Sequence, residues 1–186
     1  MRWRILSVIG ALYAAQFIPM FFAVIGLPII MRTEGHSATT IGLVQIAAIP
    51  YVFKFLWAPL IDRYKIGQDR YKSWIKVLSV LHVISIIALA FTDPGGNLIP
   101  LFIALFIATL SVSTQDVAVD ALAISLLRPS ERNMGSTFQN LGAYAGAIVG
   151  GFGFLYIYSQ IGWTAALLIQ AAIFVLPLFS LYFVTE

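Results

Sequence analysis

No cysteine occurs among the 186 residues. That excludes disulfides and thiolate metal sites, and it leaves the redox compartment unmarked. Charge is nearly as scarce. Asp, Glu, Lys and Arg make up 10% of the chain, against about 25% in an ordinary soluble domain. Hydrophobic residues make up 60%, and the mean hydropathy is +0.92. A surface this poor in charge does not suit water, so composition alone argues for an integral membrane protein. Also missing is any polar stretch long enough for a separate soluble domain. The net charge of +3 does not indicate nucleic acid, because the basic residues sit at the ends of apolar runs and no basic module could fold by itself. No metal or cofactor site is expected.

Six long apolar stretches fill the sequence. A helix needs about 20 apolar residues to cross a hydrocarbon core about 30 Å thick. The spacing predicts spans at residues 5–31, 39–60, 73–91, 98–127, 133–158 and 164–184. Met1-Arg2-Trp3-Arg4 before an apolar run resembles a signal peptide, but the run continues to Met31 and is too long for one. Asp93-Pro94-Gly95-Gly96-Asn97 is a turn, and Gln160 to Trp163 is a tight link. Alternate loops carry very different charge. One side holds Arg2, Arg4, Arg63, Lys65, Arg70, Lys72, Lys76, Arg128 and Arg132; the other holds Arg32 alone. The positive-inside rule then puts both termini in the cytoplasm.

Span 4 carries two aspartates four residues apart, Asp116 and Asp120, after Gln115. A charged side chain at a membrane-helix centre costs about 2.5–3.5 kcal/mol on insertion scales, so it faces a partner charge, a wet cavity or an ion. The spacing puts both carboxylates on one helix face. Two such groups in a low-dielectric site resist being ionised together, so one is expected to carry a proton. Lys54, at comparable depth in span 2, would pair with one aspartate and leave the other free. Gln16 in span 1 is the best further cavity-lining candidate, with Gln115, Gln139 and Asn140 as weaker ones, since buried amides often only bond between helices. His82 in span 3 reads as a packing residue. An intramembrane aspartyl protease is excluded by the placement of Asp116 and Asp120 on one helix, because two catalytic carboxylates must flank a scissile bond.

Ala58-Pro59-Leu60-Ile61-Asp62-Arg63, followed by Arg70 and Lys72, resembles the loop signature of the major facilitator superfamily, with Ala58 in place of its Gly. That resemblance implies a gating role for Asp62, Arg63, Arg70 and Lys72 at the cytoplasmic face. Gly142, Gly146 and Gly150 recur every fourth residue in span 5, with Gly151 beside them. They make a strip on which another helix can pack closely, comparable with a Gly-rich motif of the same superfamily, though Ala147 stands where its Pro is usual. Tyr51-Val-Phe-Lys54-Phe-Leu-Trp57-Ala-Pro59-Leu-Ile-Asp62-Arg63, together with Thr114-Gln115-Asp116 and Asp120, looks like one branch of it. That branch holds AmpG-type muropeptide permeases, acetyl-CoA transporters and RhtX/FptX-type siderophore importers.

The resemblance implies one six-helix bundle of a twelve-helix secondary transporter in a bacterial inner membrane. The expected activity is proton-coupled import of a large polar solute, a siderophore or a muropeptide, by alternating access. Its expected partners are the lipid bilayer, the solute, protons and a second six-helix half. Asp116, Asp120, Lys54, Gln115 and Gln16 would line the cavity or carry the proton. The chain ends where a central loop would begin, which leaves open a fragment, a split gene product or a pairing half-transporter. A competing expectation is a membrane subunit that assembles with or regulates a partner without moving solute.

Overall fold

The computed structural model describes residues 3–184, and these are helical with no strand among the described residues. Five helical runs among them are long and apolar enough to cross a membrane: Trp3–Thr33, Ala38–Leu56, Arg70–Ala90, Leu98–Leu126 and Pro129–Phe183. The last has 55 residues and would measure roughly 80 Å if straight, more than twice a hydrocarbon core. It is broken at Gly162, whose φ of 79° and ψ of −178° are not helical. A positive φ is the province of glycine. The chain reverses there, so residues 129–161 and 163–183 make separate crossings, called spans 5 and 6 below. The first four runs are spans 1 to 4.

Side-chain contacts fix how the spans alternate. One apolar cluster joins Leu27, Val44, Leu89, Leu101, Phe154 and Leu167, one residue from each span. A second joins Val8, Ile61, Ile75, Leu122 and Leu181, and a third ties Leu6, Ile9 and Leu127 to Phe138. Following residue numbers between the clusters shows each span running opposite to the one before it. Arg4, Arg63, Lys65, Arg70, Lys72, Lys76, Arg128 and Arg132 fall at one end of the bundle, and Arg32 at the other.

Span 2 is not one regular helix. Its ladder passes through tight turns at Ile46–Ala48 and Lys54–Leu56, and a short helix Ala58–Arg63 follows. Pro50 and Pro59 start the segments after those turns, as expected of residues that lack an N–H and cannot continue a ladder. Gln45 donates to the Ala23 carbonyl at 2.9 Å and Thr109 donates to the Ala47 carbonyl, so the broken span is tied to spans 1 and 4.

Spans 1 and 5 run parallel and touch through their main chains. A Cβ at Gly142 would strike the Gly10 carbonyl oxygen, one at Gly146 the Ala14 carbonyl oxygen, and one at Gly150 the Ile18 carbonyl oxygen. Absence of side chains at these three levels permits the approach. Gly151 differs: its surroundings offer only Ile25, at 3.9 Å. Each helix also widens into a π-turn, at Phe22–Gly26 in span 1 and at Val149–Gly153 in span 5.

Candidate functional site

The polar centre of the bundle forms where spans 1, 2, 4 and 5 meet. Lys54 donates to Asp116 Oδ2, an ion pair between spans 2 and 4. The lysine side chain is 33% exposed and the aspartate 14%, so the pair is sunk into the bundle but open on the lysine side. Lys54 begins the tight turn Lys54–Leu56. Gln16, from span 1 and nearly fully buried, completes the aspartate's shell. With its amide oriented to suit its neighbours, Nε2 donates to Asp116 Oδ1 at 3.1 Å. Trp57 Nε1 donates to Thr114 Oγ1 at 3.0 Å, one more bond between spans 2 and 4 beside the pair.

A cavity of about 140 Å³ opens over these groups, lined by Gln16, Phe17, Met20, Tyr51, Lys54 and Asp116 among others. The Tyr51 hydroxyl is buried and has no hydrogen-bond partner.

One turn along span 4, Asp120 has a different environment. The Tyr13 hydroxyl donates to Asp120 Oδ1, and Gln139 Nε2 of span 5 donates to the same hydroxyl at 2.9 Å. Tyr13 therefore links three spans through one oxygen. The two aspartates share a helix face, yet the first is held by a cation and an amide, the second by a phenol.

Gln115 does not belong to this site. It is 1% exposed and donates from Nε2 to Ser79 Oγ at 3.0 Å, on span 3 and away from the cavity. Gln115, expected at the cavity, is placed on another face of the helix: one step along a helix turns a side chain by about 100°, enough to carry it out of the face that Asp116 occupies. His82 lies buried in span 3, with Nδ1 3.0 Å from the Ala108 carbonyl and its ring packed on Phe174 at 4.3 Å.

At the basic end, Asp62 accepts from the Tyr71 hydroxyl at 3.1 Å, and its carbonyl accepts from Arg70 Nη2. Trp74 Nε1 donates to the Tyr64 carbonyl at 2.9 Å. These bonds staple the segment after span 2 onto the start of span 3. Arg63 lies over the Tyr64 ring, and Lys72 pairs with Asp69 at 3.7 Å.

Tyr13 and Tyr51 are site residues that sequence reasoning did not single out; for Tyr13 a signal was available. The available signal was its position three residues before Gln16, which puts both on one face of span 1.

An apolar bundle of helices that keeps an ion pair facing a cavity, with a second carboxylate one turn away, is the build of a polytopic membrane transporter. The chain belongs to the acetyl-coenzyme A transporter 1 family, whose model matches residues 5–163. This agrees with the resemblance to the major facilitator branch read from its motifs. Among curated proteins it is 30% identical over 149 residues to the anhydromuropeptide permease of Escherichia coli (strain K12), covering 78% of this chain and 30% of that protein. It is 30% identical over 163 residues to the putative transporter AmpG 3 of Rickettsia prowazekii (strain Madrid E), covering 83% and 38%. An uncharacterised protein of Haemophilus influenzae is 33% identical over 173 residues, covering 91% and 40%. The chain thus spans 30–40% of the length of these relatives.

Proposed function

We propose that this chain is the solute-binding half of a proton-coupled importer of muropeptides, with its basic end in the cytoplasm. A single observation supports the reading most: the Lys54–Asp116 pair, sunk in an apolar bundle and facing a cavity, with the second carboxylate of Asp120 one turn away. An isolated charge at that depth is expensive, and a pair whose acid can accept a proton is a natural coupling element. Muropeptide is preferred to siderophore as cargo because a relative aligned over 78% of this chain is named an anhydromuropeptide permease. A second six-helix half, on a longer chain or another polypeptide, would close the cleft from the other side and rock against this one. Asp62, Arg63, Arg70 and Lys72 would hold the cytoplasmic side closed in one state. The bacterial source of the same relatives favours a bacterial inner membrane as its location.

The test is uptake of a radiolabelled muropeptide into proteoliposomes under an imposed proton gradient, with a ferric siderophore as the comparison cargo. Asp116→Asn and Asp120→Asn should each cut the initial rate at least tenfold, and a protonophore should do the same to the parent. Uptake indifferent to the gradient and to both substitutions would remove proton coupling. Uptake of the siderophore alone would remove the cargo assignment.

A further inference from the structure

We infer that Lys54, Tyr51 and Gln16 form a subsite for a carboxylate of the transported solute, which opens when Asp116 takes up a proton. This rests on the proton-coupled reading above and adds the chemical group recognised.

The cavity of about 140 Å³ has room for a carboxylate and a few adjoining carbons, not for a whole sugar–peptide. Its polar groups are mostly donors. Lys54 Nζ and Gln16 Nε2 are both spent on Asp116, one on each carboxylate oxygen. The Tyr51 hydroxyl is buried beside them with no acceptor. Buried polar atoms almost always find a partner, so one left over calls for an explanation. A second carboxylate supplies it. An ionised carboxylate offers about four lone-pair positions, enough for the ammonium, the phenol and the amide together.

Charge decides when that carboxylate can enter. With the pair intact the charges of Lys54 and Asp116 cancel, and an incoming anion meets the negative Asp116. A proton delivered to an Asp116 oxygen removes that charge and leaves Lys54 without its ion-pair partner, with Asp120 acting on it only at longer range. Lys54 is one-third exposed, so its ammonium is accessible from the cleft. An entering carboxylate then restores the balance: one proton and one carboxylate go in together, so the site gains no net charge at a depth where it is costly. When the proton leaves Asp116, the lysine returns to the aspartate and the solute is released.

The groups around Asp116 fit this exchange. From span 2 come Lys54 and Tyr51, and from span 1 Tyr13 and Gln16; Asp120 lies on its own span. His82 of span 3 is engaged with the Ala108 carbonyl instead. Span 5 contributes Gln139, which serves Tyr13. Asp120 is held by that phenol and meets Lys54 only at longer range, whereas Asp116 is in direct contact with it, so the exchange falls to Asp116.

The experiment measures binding and proton uptake together, with the transport-competent protein in weakly buffered detergent solution and a pH indicator. Two probes are compared: a muropeptide with free peptide carboxylates, and the same compound with those carboxylates amidated. The parent should bind the free acid at least tenfold tighter than the amide and take up about one proton per molecule bound. Lys54→Gln should erase that preference by weakening only the acid, and Tyr51→Phe should reduce it several-fold. Asp116→Asn should bind the acid without proton uptake, and size-exclusion profiles check that each variant is folded. Equal affinity of the parent for acid and amide overturns the subsite, even where gradient-driven uptake persists and the transport reading stands. A preference for the acid that survives Lys54→Gln overturns it as well. Binding of neither probe overturns it together with the cargo assignment.

Discussion

Consider alanine at Gly150 and at Gly151, adjacent residues in one π-turn. The intrinsic gain is the same for both: replacing Gly by Ala in a helix interior contributes about 0.5–1 kcal/mol. Their surroundings are opposite. A Cβ on Gly150 would overlap the Ile18 carbonyl oxygen and stand 2.7 Å from both the carbonyl carbon and the Cα of Ile18. All three are main-chain atoms of the neighbouring span, so no rotamer can yield. Spans 1 and 5 must part by something on the order of 1 Å to regain normal separations. A Cβ on Gly151 would meet Ile25 Cδ1 at 3.9 Å, an ordinary contact. Overpacking costs about 1–3 kcal/mol, and a blocked main chain puts Gly150→Ala in the upper part of that range. At about 2–4 °C per kcal/mol for a domain of this size, it should melt about 4–12 °C below Gly151→Ala. Fluorescence-detected size exclusion after heating in detergent measures the difference, and the shared intrinsic term cancels in it. If the two variants melt together, backbone contact between spans 1 and 5 is not what holds them.

Three further outcomes are expected. Tyr13→Phe keeps the ring but strips Asp120 of its donor and Gln139 of its acceptor; a bond to a charged group contributes about 1.5–3 kcal/mol, so initial uptake should fall at least tenfold while the protein still elutes as a folded species. Gln115→Leu removes a buried amide whose Oε1 has no partner and leaves Ser79 bonded to the Ile75 carbonyl, so both uptake and melting point should stay near the parent's; a large loss of uptake would return Gln115 to the site. Lys54→Met and Asp116→Leu should each destabilise by less than the 3–5 kcal/mol typical of a fully buried pair, because Lys54 is partly solvated. The double variant should regain much of that stability without uptake, and a thermal-shift double-mutant cycle measures the coupling.

Much of the architecture could be read from composition and spacing, because a bilayer imposes helix lengths and penalises stray charge. Lys54 and the two aspartates stood out for that reason: charges in apolar runs need partners, and few were available. What sequence could not separate was orientation around each helix. Gln115 and Asp116 are neighbours in the chain, yet one faces Ser79 and the other the cavity. Tyr13 and Tyr51 were hidden differently. A tyrosine in an apolar span looks like packing, and its hydroxyl matters only once the helices opposite it are in place. The breaks in span 2 were foreshadowed by Pro50 and Pro59, but the turn that carries Lys54 is tied to span 4 by contacts that no local pattern encodes.

Nothing compressible lies between spans 1 and 5 where Gly142, Gly146 and Gly150 meet Gly10, Ala14 and Ile18. Side chains can absorb a small shove by changing rotamer; peptide units cannot. A displacement that starts at Tyr13, one residue from Ala14, is therefore passed to span 5 undamped. The two helices are expected to shift as a single plank, and the compliant seam of the bundle is the kinked span 2.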